Sequence, residues 1–176
     1  MESPIGCAAV GACHTLPEAS RLLKSILHIV HWQVMTLSMM QELDELAAEF
    51  DMLGDWEERY RYVIDLGRSL EPLSEDERND VNKVRGCASQ VWLVRRADAN
   101  RRLGFRGDSD AHIVRGLIAI LLRLYSGRTA DEILTFDARA AFERLGLSGA
   151  LSAQRSNGLK SMVERIRNDA EAATIA

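Results

Sequence analysis

The stretch Ser89–Tyr125, SQVWLVRRADANRRLGFRGDSDAHIVRGLIAILLRLY, decides the fold. Its first part, Ser89–Arg96, is rich in Val, Trp and Leu, with apolar residues on both faces in the middle, which reads as a strand. The turn Ala97-Asp98-Ala99-Asn100 leads into a second strand, Arg101–Arg106. Gly107-Asp108-Ser109-Asp110 then reads as a turn with helix caps, Asp108 among the caps. The strongest helical pattern of the chain follows. Ile113, Gly116, Leu117, Ile120, Leu121 and Leu124 form one apolar stripe, widened by Val114, Ile118, Leu122 and Tyr125. A helix this apolar belongs at the centre of a core, so a strand pair and a buried helix supply two layers.

Upstream, a short strand around Val81–Arg85 is expected to complete a three-stranded antiparallel sheet, with Pro72 and the polar run Ser74–Asn82 as a surface connection. Two helices precede it. Leu43, Leu46, Ala47 and Phe50 mark about three amphipathic turns ending near Leu53 and Gly54. Asp55 with Glu58 matches an N-terminal capping pair, after which Trp56, Tyr60, Val63, Ile64 and Gly67 share a face. Downstream, Gly127 ends the central helix, Ala130–Leu134 and Asp137–Leu145 read as short helices, and a last helix from about Asn157 turns Leu159, Met162, Val163 and Ile166 inward. The expected fold is α+β: a small three-stranded antiparallel sheet against a cluster of helices.

With 176 residues, 47% hydrophobic and 27% charged, the chain has the composition of one globular domain, not of a disordered or collagen-like chain. Its formal charge of −4 offers no field to gather phosphates, so neither nucleic acid nor an anionic membrane surface is an expected partner. The first forty residues differ in texture. Ser25–Gln41 carries no formal charge, but His28, His31, Gln33, Thr36 and Ser38 interrupt it and Glu42 follows, so neither a membrane span nor a signal peptide is expected. Residues 1–40 read as an N-terminal extension, arising from a start codon ahead of the true one at Met35, Met39 or Met40, or forming an added helix; residues 41–172 make the main domain. Cys7, Cys13 and Cys87 are too few and scattered for a disulfide framework, which points to a reducing compartment, the cytoplasm. His14, His28, His31 and His112 complete no metal set.

Cys87 is set apart by its place, between Gly86 and Ala88-Ser89 where the chain enters its best strand, so the thiol is carried on a tight loop. Position alone is a modest signal, since free cysteines are mostly small buried hydrophobes. Its companions have plain readings too: Ser89 and Gln90 either hydrogen-bond the loop backbone or simply start a strand, and Trp92 belongs to the core.

Several motifs agree, however. Val84-Arg85-Gly86-Cys87-Ala88-Ser89-Gln90-Val91-Trp92 resembles the active-cysteine motif of the SufE family, the sulfur acceptors that work with cysteine desulfurases in iron–sulfur cluster assembly. Asp55-Trp56-Glu57-Glu58-Arg59-Tyr60 with Ile64-Asp65-Leu66-Gly67, Gly107–Ala111 with Ile113–Ala119, and Leu151-Ser152 through Arg155-Ser156-Asn157-Gly158-Leu159 resemble family signatures in family order. The resemblance covers about Leu43–Asp169 and implies a fold similar to that of U-type iron–sulfur scaffolds. It further implies that Cys87 accepts persulfide sulfur from a PLP-dependent cysteine desulfurase of the general Suf type or the related Csd type. The protein would stimulate that enzyme and pass sulfur to a SufBCD-type scaffold, an accessory role with no resident cofactor. Thiol–disulfide chemistry requires a thiolate, and Arg85 and Arg155 are candidates for the positive potential that makes one. Gly86 would give the backbone freedom for the cysteine to swing between an apolar pocket and the desulfurase, and Asp110 would hold the loop at rest. The alternatives are a cluster scaffold, opposed by the single cysteine in the matching region, and an independent thiol sulfurtransferase or peroxidase, which lacks a second cysteine nearby.

Overall fold

The computed structural model describes residues 39–97, 101–148 and 151–175, all within the second of two compact units, Met35–Ala176. The expected extension over 1–40, with Cys7 and Cys13, lies outside the described residues except for Met39 and Met40, which are already helical. The hairpin tip 98–100 lies outside them as well.

Among the described residues the elements follow in the order helix α1 over residues 39–51, α2 (Trp56–Arg68), β1 (Val91–Ala97), β2 (Arg102–Ser109), α3 (His112–Tyr125), β3 (Arg128–Thr129), α4 (Ala130–Thr135), α5 (Ala138–Arg144) and α6 (Ala153–Ile175). β2 is central in an antiparallel sheet of order β1-β2-β3, with Val91 opposite Ser109 and Arg102 opposite Thr129. The expected α+β architecture of a three-stranded antiparallel sheet with a helix cluster is the one observed. Val91, Leu93, Leu103 and Phe105 turn inward under α3, whose Ile113, Leu117, Ile118, Ile120, Leu121 and Leu124 are buried as the apolar stripe requires.

Glycine sets two close approaches around α3. A Cβ on Gly116 would lie 2.0 Å from the Val63 carbonyl oxygen, so α2 and α3 touch backbone to backbone, and a Cβ on Gly107 would meet Ile118 at 2.7 Å. Asp55 caps α2 by accepting the Glu58 N–H at 2.9 Å. The Glu58 carboxylate reaches one residue further back than in a reciprocal capping box, to the Gly54 N–H at 2.7 Å. Arg123 of α3 anchors α1, pairing with Glu42 and with Glu49 at 2.8 Å, while the Tyr62 hydroxyl donates to Glu49 at 2.6 Å.

Several sequence expectations need correction. Val81–Arg85 is not the third strand: before the chain turns at Gly86 it makes one antiparallel bridge, Lys83 with Trp92. The third strand is Arg128–Thr129, folded back against β2 by Gly127, whose left-handed φ of +76° lets its N–H reach the Leu103 carbonyl at 2.8 Å. Asp108 is no cap, because β2 runs through Ser109 and the cap residue of α3 is Ala111, with no side-chain bond. Asp108 is 1% exposed, and its carboxylate accepts from Arg78 at 2.7 Å, Arg115 at 3.3 Å and the Ser109 N–H at 2.8 Å. Two arginines there repay the desolvation that a lone buried charge would suffer. Finally, α6 begins at Ala153, ahead of Asn157, because the Ser152 carbonyl takes the N–H groups of Arg155 and Ser156. Its buried stripe is Gly158, Met162, Ile166 and Ala170, with Leu159 and Val163 on its flank.

Residues 70–84 form a strap across the outer face of the sheet. Leu73 is buried, Arg106 holds Glu77 at 2.7 Å and the Pro72 carbonyl at 3.2 Å, and Arg165 of α6 holds the Val81 carbonyl at 3.1 Å. Trp92 is half-buried on that face opposite Asp108, not in the inner core. The strap ends at the cysteine loop.

Candidate functional site

Cys87 stands on the turn between the strap and β1, and the turn is shaped by Gly86. Its φ of +89° favours glycine, and a Cβ there would meet the Ser161 hydroxyl at 2.7 Å, so the loop lies directly on α6. The far side of the loop is tied to the β2–α3 junction. Asp110 accepts the Gln90 N–H at 2.9 Å and returns its own N–H to the Gln90 carbonyl at 3.3 Å.

Between these supports the thiol is half-buried and donates to the Gly158 carbonyl at 3.5 Å. It borders a pocket of about 170 Å³. Ile113, Val114, Leu117 and Met162 give the pocket apolar walls, with Ser89, Gln154 and Arg155 also lining it. Burial pushes the Cys87 thiol above its ordinary value, so in this position the sulfur is a neutral thiol at neutral pH. The Gly158 carbonyl acts in the same sense, since it accepts from S–H and repels a thiolate. The arrangement stores and shields the sulfur; attack on another sulfur requires the thiol to be exposed or a positive charge brought to it.

Of the residues singled out from sequence, Ser89 and Arg155 share the pocket with Cys87. Arg155 is half-exposed, and its guanidinium has no hydrogen-bond or ion-pair partner among the described residues. Gln90 is exposed and joined to Asp110 only through its backbone, and the Ser89 hydroxyl makes no hydrogen bond among the described residues. Gly86 and Arg85 are exposed beside the pocket and do not line it. Sequence reasoning missed Gly158, Gln154 and Met162 as neighbours of the thiol, and treated Ile113, Val114 and Leu117 as core alone. A glycine inside a helix was the available signal. Among the described residues no group of three His, Cys, Asp or Glu side chains could hold a metal, and no helix is long and apolar enough to cross a membrane.

Fold and site together define a small α+β protein with a single described thiol lodged over a pocket between its loop, α3 and α6. The profile of the SufE family, "Fe-S metabolism associated domain", matches residues 44–170. An uncharacterised SufE-like protein of Rhizobium etli is 55% identical over 135 residues, 75% of this chain and 91% of that protein. Another, from Rhizobium meliloti, is 51% identical over 135 residues, 75% of this chain and 96% of its own. A hypothetical protein of Thermus thermophilus, solved in solution, superposes with a TM-score of 0.64 at 14% identity, covering 77% of this chain and 97% of that one, which shows a shared fold. The chain belongs to the SufE family and so to iron–sulfur metabolism.

Proposed function

We propose that this protein is a sulfur acceptor that takes persulfide sulfur from a PLP-dependent cysteine desulfurase onto Cys87, stimulates that enzyme and delivers the sulfur to a SufBCD-type cluster scaffold in the cytoplasm. The observation that carries this reading is the half-buried Cys87 on a loop pinned at both ends, over a pocket with room for an added atom. In the transfer, the Cys87 thiolate attacks the outer sulfur of the donor persulfide. One S–S bond forms as another breaks, and the donor cysteine departs as a thiolate, so no oxidant is consumed.

Each neighbour has a part. Undocking the Asp110–Gln90 contact frees the loop, and Gly86 supplies the backbone range for the swing. Outside the pocket the sulfur loses the desolvation that keeps it protonated, and Arg155 on the pocket wall and the exposed Arg85 just before Gly86 favour the thiolate. Returned to the pocket, the loaded sulfur is screened from water by Ile113, Val114, Leu117 and Met162. The protein brings no coenzyme; PLP belongs to the desulfurase. Incubation with a cysteine desulfurase and free cysteine, read by intact mass, is expected to add one sulfur, and Cys87→Ser to abolish the gain. An unchanged wild-type mass overturns the reading.

A further inference from the structure

Helix α6 carries a glycine at its sixth position, where glycine is less favourable than alanine. Gly158 is buried and does not have a left-handed φ, so backbone conformation does not call for it. Tight packing does not call for it either. Between α2 and α3 an added Cβ would fall 2.0 Å from the Val63 carbonyl at Gly116 and 2.6 Å from a backbone nitrogen at Gly67, leaving no space for any side chain. At Gly158 the nearest atoms are Cys87 Sγ at 3.4 Å and Cys87 Cα and Cβ at 3.8 Å, ordinary contact distances that admit a methyl group. The space glycine keeps open is therefore space beside one reactive atom, and it belongs to the pocket that Met162 and Leu117 line.

We propose that Gly158 is a positioning residue for the loaded form of Cys87: its missing side chain leaves the room that the outer sulfur of a Cys87 persulfide occupies. This rests on Cys87 as a sulfur acceptor. A thiol needs none of that room. A persulfide does, because its S–S bond of about 2.05 Å sets a second sulfur beyond Sγ, and a methyl group 3.4 Å from Sγ would take its place. Gly158→Ala should accept the empty protein and reject the loaded one from the pocket.

The test compares wild type and Gly158→Ala after loading with inorganic polysulfide, which needs no desulfurase. The Cys87 thiolate attacks a polysulfide sulfur, one S–S bond forms as one breaks, and the shortened polysulfide leaves with the electron pair. A small thiol is then added; it attacks the outer sulfur, leaves as its own persulfide and returns the Cys87 thiolate. Peptide mass at Cys87 follows the loss, separately from Cys7 and Cys13. The expected result is a thermal midpoint for empty Gly158→Ala no lower than wild type, with stripping of its loaded form several-fold faster. Equal stripping rates overturn the proposal, as does a lowered midpoint, which would mean that the methyl strains the thiol form already. If desulfurase fails to load the wild type while polysulfide loads it and the rates differ, the assigned sulfur donor is wrong and the role of Gly158 stands.

Discussion

The chemistry of Cys87 is set by what surrounds one sulfur. Burial raises its affinity for the proton. Alkylation by iodoacetamide should therefore have its midpoint at higher pH in the folded protein than in urea. The same shift makes folding favour the protonated thiol, a contribution intact below the ordinary thiol value and lost as pH rises through the folded one. Wild type should thus lose stability relative to Cys87→Ser above about pH 8.5, measured by denaturant titration at successive pH values. Asp110→Ala removes the side-chain bond to Gln90 and should speed alkylation of Cys87 at fixed pH with little change in global stability; an unchanged rate would show that the contact does not hold the loop. The turn that carries the cysteine was legible from its neighbours in the chain, Gly86 before it and a strand after it, but that place was a modest signal, and the family motif around it is what singled the thiol out. Its pocket was not, because Val114, Gln154 and Met162 come from two helices far apart in sequence and meet only once the core has formed.

Elements in this fold are joined by a few strong fastenings. Asp108 ties β2 to the strap through Arg78 and to α3 through Arg115. Asp108→Asn leaves Arg115 without its counter-charge and Arg78 with only the exposed Glu75 at 3.7 Å, and should cost about 2–3 kcal/mol, below the range for fully buried pairs because the arginines are partly exposed. Gly116→Ala should cost about 3 kcal/mol, the upper end for overpacking, since α2 has to move off α3. Arg123→Ala should cost about 1–2 kcal/mol. Its hydrogen bond holds the Glu49 carboxyl below the usual carboxylate range, and the Tyr62 hydroxyl is pushed up to about 12, by burial first and then by Glu49. The Glu49 contribution is present above the ordinary carboxylate value and vanishes as pH falls through the folded one, so the Arg123→Ala deficit should shrink in acid. Periodicity was enough to find α2 and α3, whose stripes are long. It misplaced the third strand because two residues, Arg128 and Thr129, carry no period at all, and it misread Asp108 because an acidic residue before a helix looks the same whether it caps the helix or faces two arginines.

The described part of the molecule has one core, shared by α1, the inner sheet face, α3 and α6. Leu46→Ala on α1 and Ile166→Ala on α6, both completely buried, should each cost about 2–5 kcal/mol. Each should lower the midpoint of the far-UV circular dichroism transition in urea without changing its slope. A changed slope would mean that the helix concerned unfolds separately. The two-layer arrangement was readable at this scale because the strand pair and the apolar helix sit in one unbroken stretch. The bridge between Lys83 and Trp92 bears on the protein in a crowded cell. With the Val84 N–H given to Val91 and the Leu93 N–H to Asn82, the outer margin of β1 has its ladder groups partly occupied; on the opposite margin β3 covers β2 only at Arg102 and Leu103, and beyond it the Ser126 hydroxyl accepts the Phe105 N–H at 3.2 Å. With those ladder groups taken, the margin of β1 is a poor template for another chain to add a strand, which lowers the risk of edge-to-edge aggregation beside the cysteine loop.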